Sequence, residues 1–163
     1  MKKLYPTLII SLVFLLIGCS TELDTLQKRD DTYYEINSEE PFSGSIINIY
    51  ESGQKHTEGI LTNGKEDGLW TWWYQNEQKK KEVTYKNGEL DGLTTWWHGN
   101  GQKRYEWNYK AGEYDGLYTR WYPNGQKRVE GTWKDDDFIS KECWDEGGNE
   151  CECGEEYFGE GCK

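Results

Sequence analysis

Nine tryptophans and twelve tyrosines are the side chains of this 163-residue chain with the most to offer a ligand. Each carries a broad apolar face and a polar edge, suited to stacking on a sugar ring or anchoring a protein partner. If strands alternate through them, Trp70, Trp72, Tyr74, Trp96, Tyr118 and Tyr122 project to one side, and these six are the candidate binding residues. The competing reading is that they pack on one another and on lysine stems to cover a thin sheet. Asp67, Asp91 and Asp115 recur as calcium-binding turns would, but each precedes a glycine, and a tight turn accounts for that. No serine or cysteine is placed beside His56 or His98 as a nucleophile. In a chain with 30 acidic residues, paired carboxylates single out no acid–base couple. The sequence therefore predicts no catalytic residue, no metal and no cofactor. Cys143, Cys151, Cys153 and Cys162 form an even cluster, which in an exported chain reads as two disulfides with three pairings open; a four-thiolate zinc site is the rival.

A repeat must position these groups. Gly44, Gly68, Gly92 and Gly116 stand 24 residues apart, as do Gln54-Lys55, Gln78-Lys79, Gln102-Lys103 and Gln126-Lys127, and Glu58, Glu82, Glu106 and Glu130. Such a beat marks an array whose units bury apolar surface only against their neighbours. Runs rich in Trp, Tyr and Thr are separated by Asn63-Gly64, Asn87-Gly88 and Asn124-Gly125, and by Asp67-Gly68, Asp91-Gly92 and Asp115-Gly116. These read as strands joined by turns in which glycine supplies positive φ. The predicted fold is all-β: an elongated single antiparallel sheet, two strands per 24-residue unit. Alternation assigns Leu69, Thr71 and Trp73, with Leu93, Thr95 and Trp97 and with Leu117, Thr119 and Trp121, to a core-like side. Val83, Tyr85, Tyr105, Trp107, Tyr109, Val129 and Trp133 form the apolar side of the second strands, opposite Glu82, Glu106 and Glu130 and their neighbouring lysines and arginines.

The N-terminus reads as an export signal. Lys2 and Lys3 precede an apolar run, Leu8 to Ile17, too short to span a bilayer comfortably. Leu16-Ile17-Gly18-Cys19 resembles a bacterial lipobox, which implies cleavage after Gly18 and acylation of Cys19 with palmitate-like chains. The chain then divides into a signal peptide (1–18), a polar tether (19–32), a repeat domain (33–140), and a shortened last repeat with a cysteine-rich cap (141–163). Loss of residues 1–18 removes two lysines and takes the formal charge from −11 to −13. So acidic a surface argues against nucleic acid.

Units of the form D-G-L-x-x-W-Y-x-N-G-Q-K-x-x-E-x-x-Y-K-N-G, over roughly residues 33–151, resemble the variant MORN repeats of the YwqK family, labelled toxin–antitoxin antitoxins. Glu77 replaces a turn glycine of that pattern, and His98 and Gly99 replace an aromatic and a spacer. The resemblance implies an antiparallel repeat sheet with a binding role. The tail Cys151-Glu-Cys153-Gly-Glu-Glu-Tyr157-Phe-Gly159-Glu-Gly-Cys162 resembles the last half of an epidermal-growth-factor-like module, which implies Cys153–Cys162 and leaves Cys143–Cys151. The expected protein is a monomeric lipoprotein of the bacterial cell envelope, anchored to the outer membrane. Its expected partners are the membrane and a protein, with a glycan or an incoming toxin as alternatives.

Overall fold

A computed structural model describes residues 20–154 and 162–163 of the chain. The lipobox cysteine Cys19 lies outside these residues, as do Tyr157 and Gly159 of the tail. The described chain is almost entirely strand. A 3-10 turn, Leu23–Thr25, leads into a small hairpin of β1 (Leu26–Arg29) and β2 (Thr32–Glu35). Ten further strands follow: β3 (Gly44–Ile49), β4 (Lys55–Thr62), β5 (Lys65–Trp73), β6 (Lys79–Lys86), β7 (Glu89–Trp97), β8 (Lys103–Lys110), β9 (Glu113–Trp121), β10 (Lys127–Lys134), β11 (Asp137–Trp144) and β12 (Glu150–Cys151). Each pairs antiparallel with the next in one uninterrupted meander. At about 4.8 Å per strand the sheet is roughly 43 Å across. The expected repeat sheet is what forms.

Two kinds of hairpin alternate at its two ends. Asn63-Gly64, Asn87-Gly88, Ala111-Gly112 and Asp135-Asp136 are two-residue turns with both residues at positive φ, the geometry that matches strand twist. The other ends carry loops such as Tyr122-Pro123-Asn124-Gly125-Gln126, closed by Tyr122 N–H to the Gln126 carbonyl at 2.9 Å. Asp67-Gly68, Asp91-Gly92 and Asp115-Gly116 are not turns, contrary to the sequence expectation. They lie inside β5, β7 and β9, where the register slips against the preceding strand. Gly92 (φ 117°) and Gly116 (φ 114°) supply the backbone that these bulges need.

Register also corrects the assignment of faces. Trp70 lies opposite Val83, and Thr71 lies opposite Glu82. Directly opposed residues in an antiparallel pair share a face. The side of Val83 and Trp107 therefore belongs with Trp70, Trp72, Trp96 and Tyr118, and the Leu69, Thr71, Trp73 series lies with the glutamates. Alternation within one strand cannot settle which faces of two strands coincide; only the pairing does.

Both ends of the aromatic face are capped. Within the expected tether, 19–32, the described residues 20–32 are docked on the sheet instead of standing free of it. Thr21 bridges the edge of β3, its N–H donating to the Ser45 carbonyl (2.9 Å) and its carbonyl accepting from Ile47 N–H (3.0 Å). Leu23, Leu26, Tyr33 and Phe42 pack on Ile46, Leu61 and Trp70. Two leucines and two aromatics are enough to dock the segment, because a lone sheet offers an apolar face that nothing else covers. At the far end Cys143, Val129, Trp133 and Tyr118 form a second cluster, with Cys151 and Cys153 packed on it.

Candidate functional site

The strands present two unlike faces. On one, a single row runs the width of the sheet: Ile47, Glu58, Thr71, Glu82, Thr95, Glu106, Thr119, Glu130, Glu142, each opposite the next. The threonines are buried between their neighbours, and Thr95 Oγ1 donates to Glu106 at 3.2 Å. Each second strand carries an extra residue at His56, Lys80, Arg104 or Arg128. That extra residue resets the alternation, so that a lysine three positions before the glutamate meets it on the same side. Lys55–Glu58, Lys79–Glu82, Lys103–Glu106 and Lys127–Glu130 are the resulting ion pairs. The same four ammonium groups lie over Trp73, Trp97, Trp121 and Trp144 at 4.8–5.7 Å from the ring centroids. Leu69, Leu93 and Leu117 are 53%, 42% and 48% exposed here, so this side is not the core.

The other face holds the aromatic candidates, and their environments differ sharply. Trp70 is 2% exposed and Tyr118 3%, which makes them core. Gly59 explains how Trp70 fits: a Cβ on Gly59 would collide with the indole ring. Tyr74 and Tyr122 are staples between units, donating their hydroxyls to the carbonyls of Trp97 (2.9 Å) and Trp144 (3.1 Å). Tyr50 does the same to Trp73 at 2.7 Å. At the equivalent position in the third unit stands His98, whose Nε2 is buried without a hydrogen-bond partner. Of the six candidates, Trp72 and Trp96 are half-exposed and make no hydroxyl staple; Trp72 stacks on Trp70 at 5.9 Å, and Trp96 meets Tyr105 edge-on at 6.2 Å.

These two belong to a row that sequence reasoning missed. Trp72, Lys81, Trp96, Tyr105 and Arg120 lie opposite one another in succession on β5 to β9. The Lys81 ammonium sits 3.8 Å from the centroid of Trp72 and 5.2 Å from that of Trp96. The guanidinium of Arg104 lies 4.7 Å from the Tyr105 centroid, and that of Arg120 lies 5.9 Å from it. Tyr105 also stacks on Trp107 at 5.4 Å. All five residues are half-buried. Burial pushes the Lys81 pKa down, and neighbouring Lys80 pushes it the same way. Burial, and then the hydroxyl contact with Tyr114, push the Tyr109 phenol far up. The missed signal was positional: where three units carry Lys81, Tyr105 and Val129 at equivalent places, the beat is broken, and only the register shows those breaks to be neighbours.

The cystines are also paired otherwise than expected. The bonds are Cys143–Cys153 and Cys151–Cys162, each with Cα atoms 5.4 Å apart. Cys143 and Cys151 lie opposite in the β11–β12 register, and Cys153 and Cys162 form a separate backbone bridge. The bonds run diagonally between these two backbone pairs, and the pairing implied by the growth-factor resemblance does not occur. The same bonds replace the zinc reading of the four thiols.

No curated protein matches the chain. Residues 66–87, 90–111 and 114–135 match the MORN repeat variant. Each matched stretch covers one hairpin, β5–β6, β7–β8 or β9–β10, and the β3–β4 hairpin before them repeats the same Tyr50 and Lys55–Glu58 contacts. The chain is thus built on three consecutive stretches similar to the MORN repeat variant, extended by a fourth hairpin and closed by two unlike caps.

Proposed function

We propose that this chain is a non-catalytic scaffold of the bacterial cell envelope, held to a membrane by lipid on Cys19 and presenting the open middle of its aromatic face to a protein partner. The observation that supports this reading is the half-exposed row Trp72, Lys81, Trp96, Tyr105 and Arg120, in which Trp72 borders the N-terminal cluster and Tyr105 the C-terminal one. Trp, Tyr and Arg are the residues that carry most of the energy in protein interfaces. The basic n-region, the short apolar run and the Gly18-Cys19 junction support export and lipidation. Thr21 is bonded into the β3 edge, so a lipid on Cys19 would stand only two residues, at most about 7 Å of chain, from the sheet. The scaffold would then rise directly from the lipid surface with its N-terminal cap lowest.

A glycan is less well supported. Sugar stacking needs bare ring faces, and here Lys81 covers Trp72 while Arg104 and Trp107 cover Tyr105. The antitoxin role suggested by the YwqK resemblance would be a special case in which the partner is a toxin arriving from outside. Crosslinking and pull-down of the intact lipoprotein from its own cells tests the reading. A specific protein should be recovered with wild type and lost with Trp72→Ala plus Trp96→Ala, and Cys19→Ser should move the chain from membrane to soluble fraction. Recovery of no partner, or equal recovery by the aromatic variant, would count against it.

A further inference from the structure

The sequence is strongly acidic, yet one part of the aromatic face carries only cations. Lys80, Arg104 and Arg128 occupy the extra-residue positions of β6, β8 and β10, and their cations lie 5.8, 4.7 and 5.3 Å from the ring centroids of Tyr74, Tyr105 and Tyr122. Among the described residues neither these three nor Lys81 forms an ion pair, whereas Lys55, Lys79, Lys103 and Lys127 of the opposite face are each paired with a glutamate. Beside the effect of burial, Lys80 pushes the Lys81 pKa down, and Arg120 and Arg128 both act on the Tyr118 hydroxyl. Arg128 Nε is buried without a hydrogen-bond partner. Cations drawn together and left without counter-charge cost stability, so a surface that keeps them invites an anion.

Spacing narrows the choice of anion. Lys80, Arg104 and Arg128 lie two strands apart, which places them roughly 9.6 Å from one another. A segment in the extended polyproline II conformation advances about 3.1 Å per residue with three residues per turn, so every third side chain returns to one side at about 9.3 Å, close to that interval. The ring faces along the row are already occupied by cations and by other rings, which leaves charged heads and ring edges as the chemistry on offer. This favours carboxylates over sugars or bases, both of which need bare rings.

We propose that this row recognises an extended acidic segment of the partner protein, lying across the strands with its carboxylates on Lys80, Lys81, Arg104 and Arg128. The inference rests on the scaffold reading above and names the partner's chemistry. A protein of net charge −11 repels a polyanion at long range, so binding of one reports this row and not the overall field.

The test uses the full detergent-solubilised lipoprotein and a fluorescent polyglutamate peptide, read by anisotropy at low and at high salt. Wild type should bind at low salt and weaken as salt rises. The triple variant Lys81→Gln, Arg104→Gln, Arg128→Gln should bind on the order of tenfold more weakly. The opposite-face pair Lys79→Gln, Lys103→Gln should bind like wild type. Should the triple variant fold poorly by circular dichroism, Lys80→Gln alone serves, with a smaller loss in the same direction. Absence of binding by wild type, equal loss in the opposite-face pair, or preference for polygalacturonate would each overturn the proposal. In cells, a partner still captured by the triple variant would refute the acidic-segment assignment and leave the scaffold reading standing. Capture of nothing by wild type would remove the scaffold reading itself.

Discussion

The two faces of this sheet obey different rules. On the charged face, positions 24 residues apart hold the same residue: Thr71, Thr95 and Thr119; Glu82, Glu106 and Glu130; Lys79, Lys103 and Lys127; Trp73, Trp97 and Trp121. On the aromatic face the equivalents differ: Trp70, Thr94 and Tyr118; Trp72, Trp96 and Arg120; Lys81, Tyr105 and Val129; Val83, Trp107 and Gly131. A contact between identical neighbours can be copied from unit to unit, so repetition marks what holds the array together. A face that must meet one cap, then open surface, then another cap cannot be copied. Positions that break the beat are therefore where a unit meets a cap or open surface instead of another copy of itself.

The sharpest way to break this comparison is to truncate one tryptophan from each face. Trp70→Ala empties a site that is 2% exposed and shaped by Gly59 around the ring. It is expected to cost about 3–5 kcal/mol, as for other buried aromatics. Trp97 is half-exposed with Lys79 above it, and Trp97→Ala is expected to cost about 1–2 kcal/mol. Urea titrations of both variants give the two values. Equal losses would mean that the repeated face is as much a core as the other.

The caps supply the next contrast. Replacing Cys143 and Cys153 together with serine opens a ten-residue separation and puts a hydroxyl where Cys143 is only 1% exposed. The loss is expected to be about 2–4 kcal/mol and to appear at the β10–β12 end. Hydrogen exchange should rise there while β3–β5, held by the apolar N-terminal cap, keeps its protection. Peptide mapping without reduction checks the pairing itself: fragments joined through Cys143–Cys151 would contradict it.

Much of this was readable beforehand, and the failures have causes. The all-β meander followed from the 24-residue beat, because Asn-Gly pairs and alternating aromatics act locally. The faces did not follow. The extra residues at Lys80, Arg104 and Arg128 shift alternation by one, and a single slip sends every later side chain to the other side. Residues 19–32 looked like a tether because Glu22, Asp24, Lys28 and Arg29 outnumber Leu23 and Leu26, but docking depends on the exposed sheet that those leucines meet. Tyr74 and Tyr122 looked like ligand groups because nothing in sequence shows that a hydroxyl reaches a carbonyl in the next unit.

A smaller effect separates the bulge from the turn. Gly92 has φ 117°, and a Cβ there would meet Thr84 at 3.2 Å. Gly92→Val is expected to cost about 1–3 kcal/mol, through backbone strain more than contact. Glu89→Ala, at an exposed position beginning the same strand, should stay within about 0.5 kcal/mol. Thermal melts of the two variants side by side decide it. Similar melting temperatures would show that the bulge tolerates a side chain and that the repeated glycine has another cause.

The smallest effect tests the repeated face on its own terms. Lys103 and Glu106 form an ion pair with side chains 45% and 21% exposed, Thr95 also donates to Glu106, and the ammonium lies 5.5 Å from the Trp121 centroid. Water competes for the exposed lysine, so the pair alone should be worth only a few tenths of a kcal/mol. A double-mutant cycle of Lys103→Ala and Glu106→Ala should give a coupling of about 0.2–1 kcal/mol that shrinks as salt is raised. Four such pairs act in parallel, so the array draws on their number and not on any one of them. A coupling above roughly 2 kcal/mol, insensitive to salt, would show the pair behaving as a buried unit. The contrast between a copied face of many weak contacts and a unique face of a few strong ones would then fail.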